Sequence, residues 1–125
     1  MNGIFVFGSN EAGCHGKGAA LNARLHHGAI YGKGFGPQGT SFAIPTKSHH
    51  LRALPIEGIE WYVSMFKEYA RRHQYHAFNV TRIGCGLAGF RDQDIAPMFA
   101  DAPRNCRFST KWAKWLPNHE SWTDQ

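Results

Sequence analysis

Two segments of this 125-residue chain share one pattern, a strand-like run followed by a glycine-rich turn and then by a helix-favouring stretch. Apolar residues 4–7 run into the glycine-dense residues 8–18, and the alternating residues 76–82 run into residues 83–90. Strand, turn and helix in this order build parallel α/β sheets with right-handed crossovers. Ligands of such sheets bind at the carboxyl ends of the strands, where both glycine turns fall. The pattern therefore predicts an α/β fold with a ligand site at the two turns.

The remaining patterns complete a compact three-layer α/β/α domain with a mostly parallel central sheet. The predicted elements are strands at residues 42–45 and 106–108, helices at residues 19–25, 54–73 and 92–99, and a long loop at residues 28–39. Asp92 or Asp94 is expected to cap the last helix. We expect residues 1–110 to form the domain and the Trp-rich residues 111–125 to pack on it as a tail, because a chain of this length suits one core.

Composition and charge limit the function classes. Lys and Arg number 14 against nine Asp and Glu, so the formal charge of +5 favours anionic partners. No apolar run approaches the ~20 residues that span a bilayer, which argues against a membrane protein. The three cysteines lie far apart and no signal peptide is recognisable, so we expect a reduced, cytoplasmic setting. Glu11 is the only carboxylate among residues 1–56, which leaves little for a paired-carboxylate glycosidase site.

Glycine-rich turns that feed helix N-termini are suited to phosphate binding, since backbone N–H groups approach phosphate oxygens there without hindrance from Cβ atoms. Neither turn matches the Walker pattern or a full dinucleotide fingerprint. Two such turns at neighbouring strand ends can hold a pyrophosphate between them, which favours a dinucleotide-like ligand. The alternative is that the glycines serve only tight backbone turns.

Lys47 follows the predicted strand 42–45 and should emerge at the same sheet edge as the glycine turns. At that position a lysine can act as nucleophile or proton donor at the anomeric carbon of a sugar. The alternative is a solvated loop lysine.

Other residues invite chemistry that their spacing does not support. The pairs His26-His27 and His49-His50 lack a partner at i, i+4, so they do not indicate a metal site. Cys14 and Cys85 lie in the glycine turns, yet no base is paired with either thiol in the sequence. The tail alternates lysine and tryptophan at residues 111–115, which is typical either of a nucleic-acid surface or of aromatic residues that close a small core.

Three segments of the chain resemble macro domains, specifically the branch of ADP-ribosyl hydrolases that includes DarG and the terminal ADP-ribose glycohydrolase of animals. Residues 8–20 look like the first ligand loop of that family, Pro45-Thr46-Lys47 like its lysine segment, and Ile83-Gly84-Cys85-Gly86-Leu87-Ala88-Gly89-Phe90 like its phosphate loop. Their order and spacing agree across residues 4–108, so the resemblance covers most of the chain.

The resemblance implies an ADP-ribose site without cofactor or metal. It implies that Asn10 contacts the distal ribose, that both glycine loops hold the pyrophosphate, that Phe90 packs near the ribose and that Lys47 is the catalytic lysine. The implied substrate-binding residues are Ser9, Asn10, Gly13, His15, Gly16, Gly18, Thr46, Gly84, Cys85, Gly86, Leu87, Ala88, Gly89 and Phe90. The chain departs from the family in two ways: no strand with an adenine-reading Gly-Asp pair precedes Ile4, and Ala88 stands where the animal enzyme has an acidic residue.

The expected function is hydrolysis of the bond between ADP-ribose and a nucleobase in DNA, with ADP-ribose or ADP-ribosylated nucleic acid as the partner. Ala88 argues against glutamate-linked ADP-ribose as the substrate. One alternative is a module that binds or senses ADP-ribose or an NAD-derived signal nucleotide without chemistry. Another is a basic nucleic-acid-binding domain whose glycines are structural.

Overall fold

A six-stranded sheet forms the centre of the computed structural model, which describes residues 3–124. The strands are β1 (Ile4–Asn10), β2 (Gly36–Gln38), β3 (Ser41–Lys47), β4 (Phe78–Val80), β5 (Cys106–Ser109) and β6 (Ser121–Trp122). Their order in the sheet is β2-β3-β1-β4-β5-β6, with β2 antiparallel to β3 and every other neighbouring pair parallel. The carboxyl ends of β1, β3 and β4 therefore meet at one edge.

Helices cover both faces of this sheet. They are α1 (Gly18–His26), α2 (Ile56–Arg72) and α3 (Asp92–Ile95), with 3₁₀ turns at Ala96–Phe99 and Thr110–Trp112. Successive residues of β1 point to opposite faces, so Val6 joins the larger core under α2 while Phe5 and Phe7 join a smaller core under α1. The apolar stripe of α2 is fully buried against the larger core. The predicted three-layer α/β/α class is confirmed.

The long helix matches its prediction, since Pro55 precedes α2 and His73 follows it. The predicted helix at residues 92–99 is interrupted: α3 ends at Ile95 and a 3₁₀ turn continues to Phe99. Pro97 lies in that turn and has no N–H to continue an α-helical ladder.

The prediction that residues 28–39 contain no element is wrong, because β2 lies within them. The Gln38 side chain organises this segment. Its amide accepts a hydrogen bond from the Ile30 N–H at 2.7 Å and donates one to the Lys33 carbonyl at 3.1 Å. A three-residue strand held by a side chain leaves no periodic pattern in the sequence.

In the tail, residues 111–124 add side chains to the core and a strand to the sheet. Trp112 is fully buried, and β6 pairs with β5 while the Trp122 indole N–H donates to the Val80 carbonyl at 2.9 Å.

Among residues 3–124, none of the helices has the length and apolar character needed to cross a bilayer.

Candidate functional site

A cleft of about 1230 Å³ extends from the carboxyl ends of the strands to residues at the amino ends of β1 and β3, such as Ile4 and Thr40. Both glycine loops line it, together with the first turn of α1, the end of β3 and the residues after β4. A cleft of this size holds a ligand larger than a single phosphate, since sites for small molecules and cofactors typically measure about 300–1,000 Å³.

The first loop, residues 11–17, is fixed in place by its neighbours. The Asn10 side chain donates to the Cys14 carbonyl at 3.0 Å and accepts from the Cys14 N–H at 2.9 Å. Gly13 has φ +73°, and a Cβ atom there would lie 2.4 Å from the backbone of Gly32. Only glycine allows this close approach, so Gly13 holds the first part of the loop against the backbone of Gly32.

This loop leads into an open helix N-terminus. No side chain caps α1, and the Leu21 N–H donates to the Lys17 carbonyl at 3.1 Å as the first bond of the helix. Over the part of the chain that the structure describes, the amides of Gly18, Ala19 and Ala20 have no protein acceptor. Free amides and the helix dipole together favour an anion at this point.

The second loop, residues 83–90, offers further free amides. The Gly89 N–H donates to the Gly86 carbonyl at 3.1 Å, and the Phe90 N–H donates to the Gly84 carbonyl at 2.8 Å. In the segment that these two bonds close, the amides of Gly86, Leu87 and Ala88 have no acceptor among residues 3–124. The loop is therefore closed at its base while its tip presents donors.

The two loops meet across the cleft. A Cβ atom built on Gly18, at the start of α1, would lie 3.7 Å from the Leu87 side chain at the tip of the second loop. Below them, a Cβ atom on Gly84 would lie 3.6 Å from the Thr46 side chain in β3. The free amides of the helix N-terminus and of the second loop therefore border one space.

Lys47 ends β3 and lies opposite Asn10 of β1 in the sheet register. It is half-buried and lines the cleft, and its carbonyl accepts the Glu11 N–H at 2.9 Å. Among the described residues, no carboxylate lies within 4.0 Å of its ammonium. The amine is thus free to meet a ligand in the cleft.

Glu11 is directed away from the cleft. Tyr62 of α2 donates its hydroxyl to the Glu11 carboxylate at 2.7 Å, and burial together with this carboxylate raises the pKa of Tyr62 to about 12. Asp124 is the only carboxylate residue in the described lining, against the cations Lys17, Lys47 and Arg82. The cleft therefore has a positive electrostatic balance, which suits an anionic ligand.

Arg82 enters the cleft lining at the base of the second loop and is held from behind by Asp92. Its guanidinium donates two hydrogen bonds to the Asp92 carboxylate, at 2.9 and 2.8 Å, and the Trp112 indole adds a third at 2.7 Å. The Arg82 hydrogen bond is the main reason that the pKa of Asp92 falls to about 2. Of the two residues expected to cap α3, Asp94 accepts the Arg91 N–H at 3.3 Å, whereas Asp92 binds Arg82 and Trp112 instead.

Cys85 is unsuited to nucleophilic chemistry. Burial raises the pKa of its thiol to about 12, and the nearby Asp92 carboxylate adds to the effect. Only the thiolate is an effective nucleophile, so this thiol stays inert near neutral pH.

The structure brings most of the predicted site residues to the cleft. Those that line it are Ser9, Asn10, Gly16, Gly18, Thr46, Lys47, Gly84, Cys85, Gly86, Leu87 and Ala88. Gly13, His15, Gly89 and Phe90 lie outside the lining. Gly13 packs on Gly32, and His15 is fully buried against Phe7.

Sequence reasoning missed several lining residues, among them Leu51, Arg82, Trp122 and Asp124. Arg82 immediately precedes the second glycine turn, and that position was a usable signal. Leu51, Trp122 and Asp124 reach the cleft through turns and strand pairings that no local pattern encodes.

The sheet order and the two loops at its carboxyl edge define a macrodomain fold. No family model and no curated protein sequence matches the chain. Solved structures do match: Thermosipho africanus DarTG in complex with ADP-ribose aligns with a TM-score of 0.62 and 17% identity, over 87% of this chain and 39% of that one. The macrodomain of Mycobacterium tuberculosis DarG aligns with a TM-score of 0.61 and 17% identity, over 98% of this chain and 89% of that one.

A protein of unknown function from Bacteroides thetaiotaomicron also aligns, with a TM-score of 0.54 and 14% identity over 82% of each chain. The fold is therefore that of a DarG-like macrodomain, which confirms the resemblance carried by the three sequence segments. The chain spans only 39% of the length of the DarTG chain.

Proposed function

We propose that this protein binds ADP-ribose in the cleft and hydrolyses the bond between ADP-ribose and a nucleobase. The observation that carries the proposal is the meeting of two sets of free backbone amides, from the start of α1 and from the second loop, where Gly18 faces Leu87. Paired donors of this kind suit linked phosphates. The similarity to an ADP-ribose-bound DarTG supports the same ligand class.

In this proposal the pyrophosphate lies between the two loops and the distal ribose extends toward Lys47. The Lys47 amine can act by either of two routes. A neutral Lys47 attacks the anomeric carbon while the base leaves with the bonding electrons, and water later cleaves the lysine adduct. A protonated Lys47 donates its proton to the departing base while water attacks the same carbon. Mass spectrometry distinguishes the routes, because only the first leaves an adduct on Lys47.

A nucleobase in DNA is the proposed leaving partner. The second loop has Ala88 rather than an acidic residue at its tip, and the formal charge of +5 favours a polyanionic substrate. Asp124, at the other end of the described chain, is the only carboxylate residue in the lining. The proposed mechanism therefore uses no carboxylate at the second loop to activate water.

The variant Lys47→Ala tests the chemistry. We expect release of ADP-ribose from a modified single-stranded oligonucleotide to fall at least about 100-fold, because general acid or nucleophilic groups contribute on the order of 10² or more. Affinity for free ADP-ribose, measured by calorimetry, should change less than about threefold, since main-chain amides supply the phosphate contacts. Lys111→Ala, an exposed tail lysine outside the cleft, is the matched control. Normal turnover by Lys47→Ala would remove the lysine from the mechanism.

The wild-type protein separates the rival functions. Tight binding of ADP-ribose without release from the oligonucleotide would identify a binding or sensing module. Salt-sensitive DNA binding without a thermal shift on adding ADP-ribose would instead identify a nucleic-acid-binding domain.

A further inference from the structure

Leu51 is held in an unfavourable backbone conformation beside Lys47. Its φ is +62°, and it is the only non-glycine residue with positive φ among residues 3–124. Its side chain is 52% exposed, so the residue gains little from burial in the core. A leucine at positive φ costs backbone energy that glycine or asparagine avoids. The combination of strain and exposure points to a role other than stability.

The turn that carries Leu51 is tightly bonded to the end of β3. The Ser48 N–H donates to the Arg52 carbonyl at 2.7 Å, the Leu51 N–H donates to the Ser48 carbonyl at 3.0 Å, and Lys47 pairs with Ala53. Of residues 48–52, only Leu51 lines the cleft. The turn therefore holds one apolar side chain at the cleft, four residues beyond the lysine.

A second exposed leucine borders the same cleft. Leu87 is 65% exposed at the tip of the second loop, where it faces the start of α1 at Gly18. Both leucines lie on segments that belong to the candidate site, one after the lysine and one among the free amides. Exposed leucine side chains gain free energy when an apolar surface covers them.

We propose that Leu51 forms an apolar wall of a subsite for the nucleobase attached to ADP-ribose, and that it contacts a flat face of the base. The assignment rests on the proposed function. A base has two planar faces of low polarity, which pack well on leucine, whereas a glutamate side chain brings a short polar ester. Leu51 therefore selects base-linked over carboxyl-linked ADP-ribose.

Binding experiments in the Lys47→Ala background test the subsite, since that variant is designed not to consume the ligands. The three probes are free ADP-ribose, a short single-stranded oligonucleotide with ADP-ribose on one base, and a peptide with ADP-ribose on a glutamate. Leu51→Gly should weaken binding of the base-linked probe at least fivefold and change binding of the other two less than twofold, whereas Leu87→Ala, which truncates a side chain that faces Gly18 among the free amides, should act on all three probes alike. Leu25→Ala, which truncates a 63% exposed leucine of α1 outside the cleft, is the matched control and should change none of them.

Leu51→Gly should melt within a few degrees of its parent, because relief of the positive-φ strain offsets the greater flexibility of glycine in the unfolded chain. Unchanged binding of the base-linked probe in Leu51→Gly would overturn the subsite, and so would an equal loss for all three probes in that variant. Those outcomes leave the proposed function standing as long as the protein still binds free ADP-ribose. Failure of the wild-type protein to bind free ADP-ribose would overturn the proposed function and the subsite together.

Discussion

Replacing Asp92 by asparagine should destabilise the protein because it removes the charge that anchors Arg82 under the second loop. The Asp92 carboxylate accepts two hydrogen bonds from Arg82 and one from Trp112. Asparagine has nearly the same shape but one acceptor oxygen and no charge. It therefore leaves the half-buried guanidinium without its counter-charge.

The size of the effect follows from the pKa of Asp92, which hydrogen bonds from Arg82 chiefly, and also from Trp112 and Cys85, lower from the ordinary value of 3.8 to about 2. This difference corresponds to roughly 2.4 kcal/mol at neutral pH, at about 1.36 kcal/mol for each pH unit. The Asp92 and Arg82 side chains are 24% and 32% exposed, so water screens part of the interaction. We expect a loss of about 2 kcal/mol, which lowers the melting temperature by roughly 8 °C in a domain of this size.

Urea unfolding of the wild-type protein and Asp92→Asn at low ionic strength between pH 7 and pH 3 measures this contribution. The folded carboxyl has the lower pKa, so its contribution is complete above about pH 4 and is lost as the pH falls toward 2. The difference between the two proteins should be constant from pH 7 to pH 5 and should fall to roughly half at pH 3. Asp94→Asn is the matched control, because Asp94 pairs with the 71% exposed Arg91, and it should cost at most about 1 kcal/mol.

A difference at pH 7 that persists unchanged to pH 3 would refute the electrostatic reasoning and assign the effect to altered packing. A difference at pH 7 no larger than that of Asp94→Asn would refute the anchoring role itself.

Two further substitutions test the ligand loop from its inner side. Gly13→Ala should lower the free energy of unfolding by at least about 3 kcal/mol, because its Cβ atom would meet the Gly32 backbone at 2.4 Å. The control Gly32→Ala, at φ +94° with open space around the Cβ atom, should lower it by only about 1–2 kcal/mol. Equal melting temperatures of the two variants would contradict the close packing of Gly13. His15→Phe should flatten the loss of stability below pH 6.5. Burial chiefly, with a contribution from Arg24, lowers the pKa of folded His15, so the unfolded chain takes up the proton first and stability falls as the pH drops. Thermal melts from pH 7.5 to pH 5 measure this, with exposed His50→Phe as the control, and an unchanged slope in His15→Phe would show that another group is responsible.

The parts of the fold that sequence predicted are those encoded by neighbours in the chain. The apolar stripe of α2 recurs at helical spacing, and each glycine turn directly follows its strand, so both could be placed without knowledge of tertiary contacts. The strand β2 could not, because it depends on Gln38 hydrogen bonds to Ile30 and Lys33. Pairing across the sheet, rather than local propensity, determines such short strands.

The same distinction explains the outcome at the candidate site. Lys47 was expected at the sheet edge because it follows a strand, and the structure places it there. The interaction of Asp92 could not be predicted because its partners Arg82 and Trp112 lie ten and twenty residues away in the chain. An acidic residue at the start of a helix predicts a cap locally, yet the Arg82 guanidinium offers Asp92 a stronger, charge-assisted interaction.

The cleft combines a rigid base with an unsatisfied surface, and this division is what a binding site requires. Below the surface, Gly13 packs on the Gly32 backbone and Gly84 contacts Phe90, Ile95 and Thr46, so neither loop can move without disturbing packed neighbours. At the surface, the first three amides of α1 and the tip amides of the second loop have no acceptor among residues 3–124, and Leu51 is strained and exposed. The strain at Leu51 costs backbone energy that glycine would avoid, and the amides are available to donate to a ligand. Because these donors border one cleft, a ligand that bridges the two loops binds only the folded protein and should raise its melting temperature.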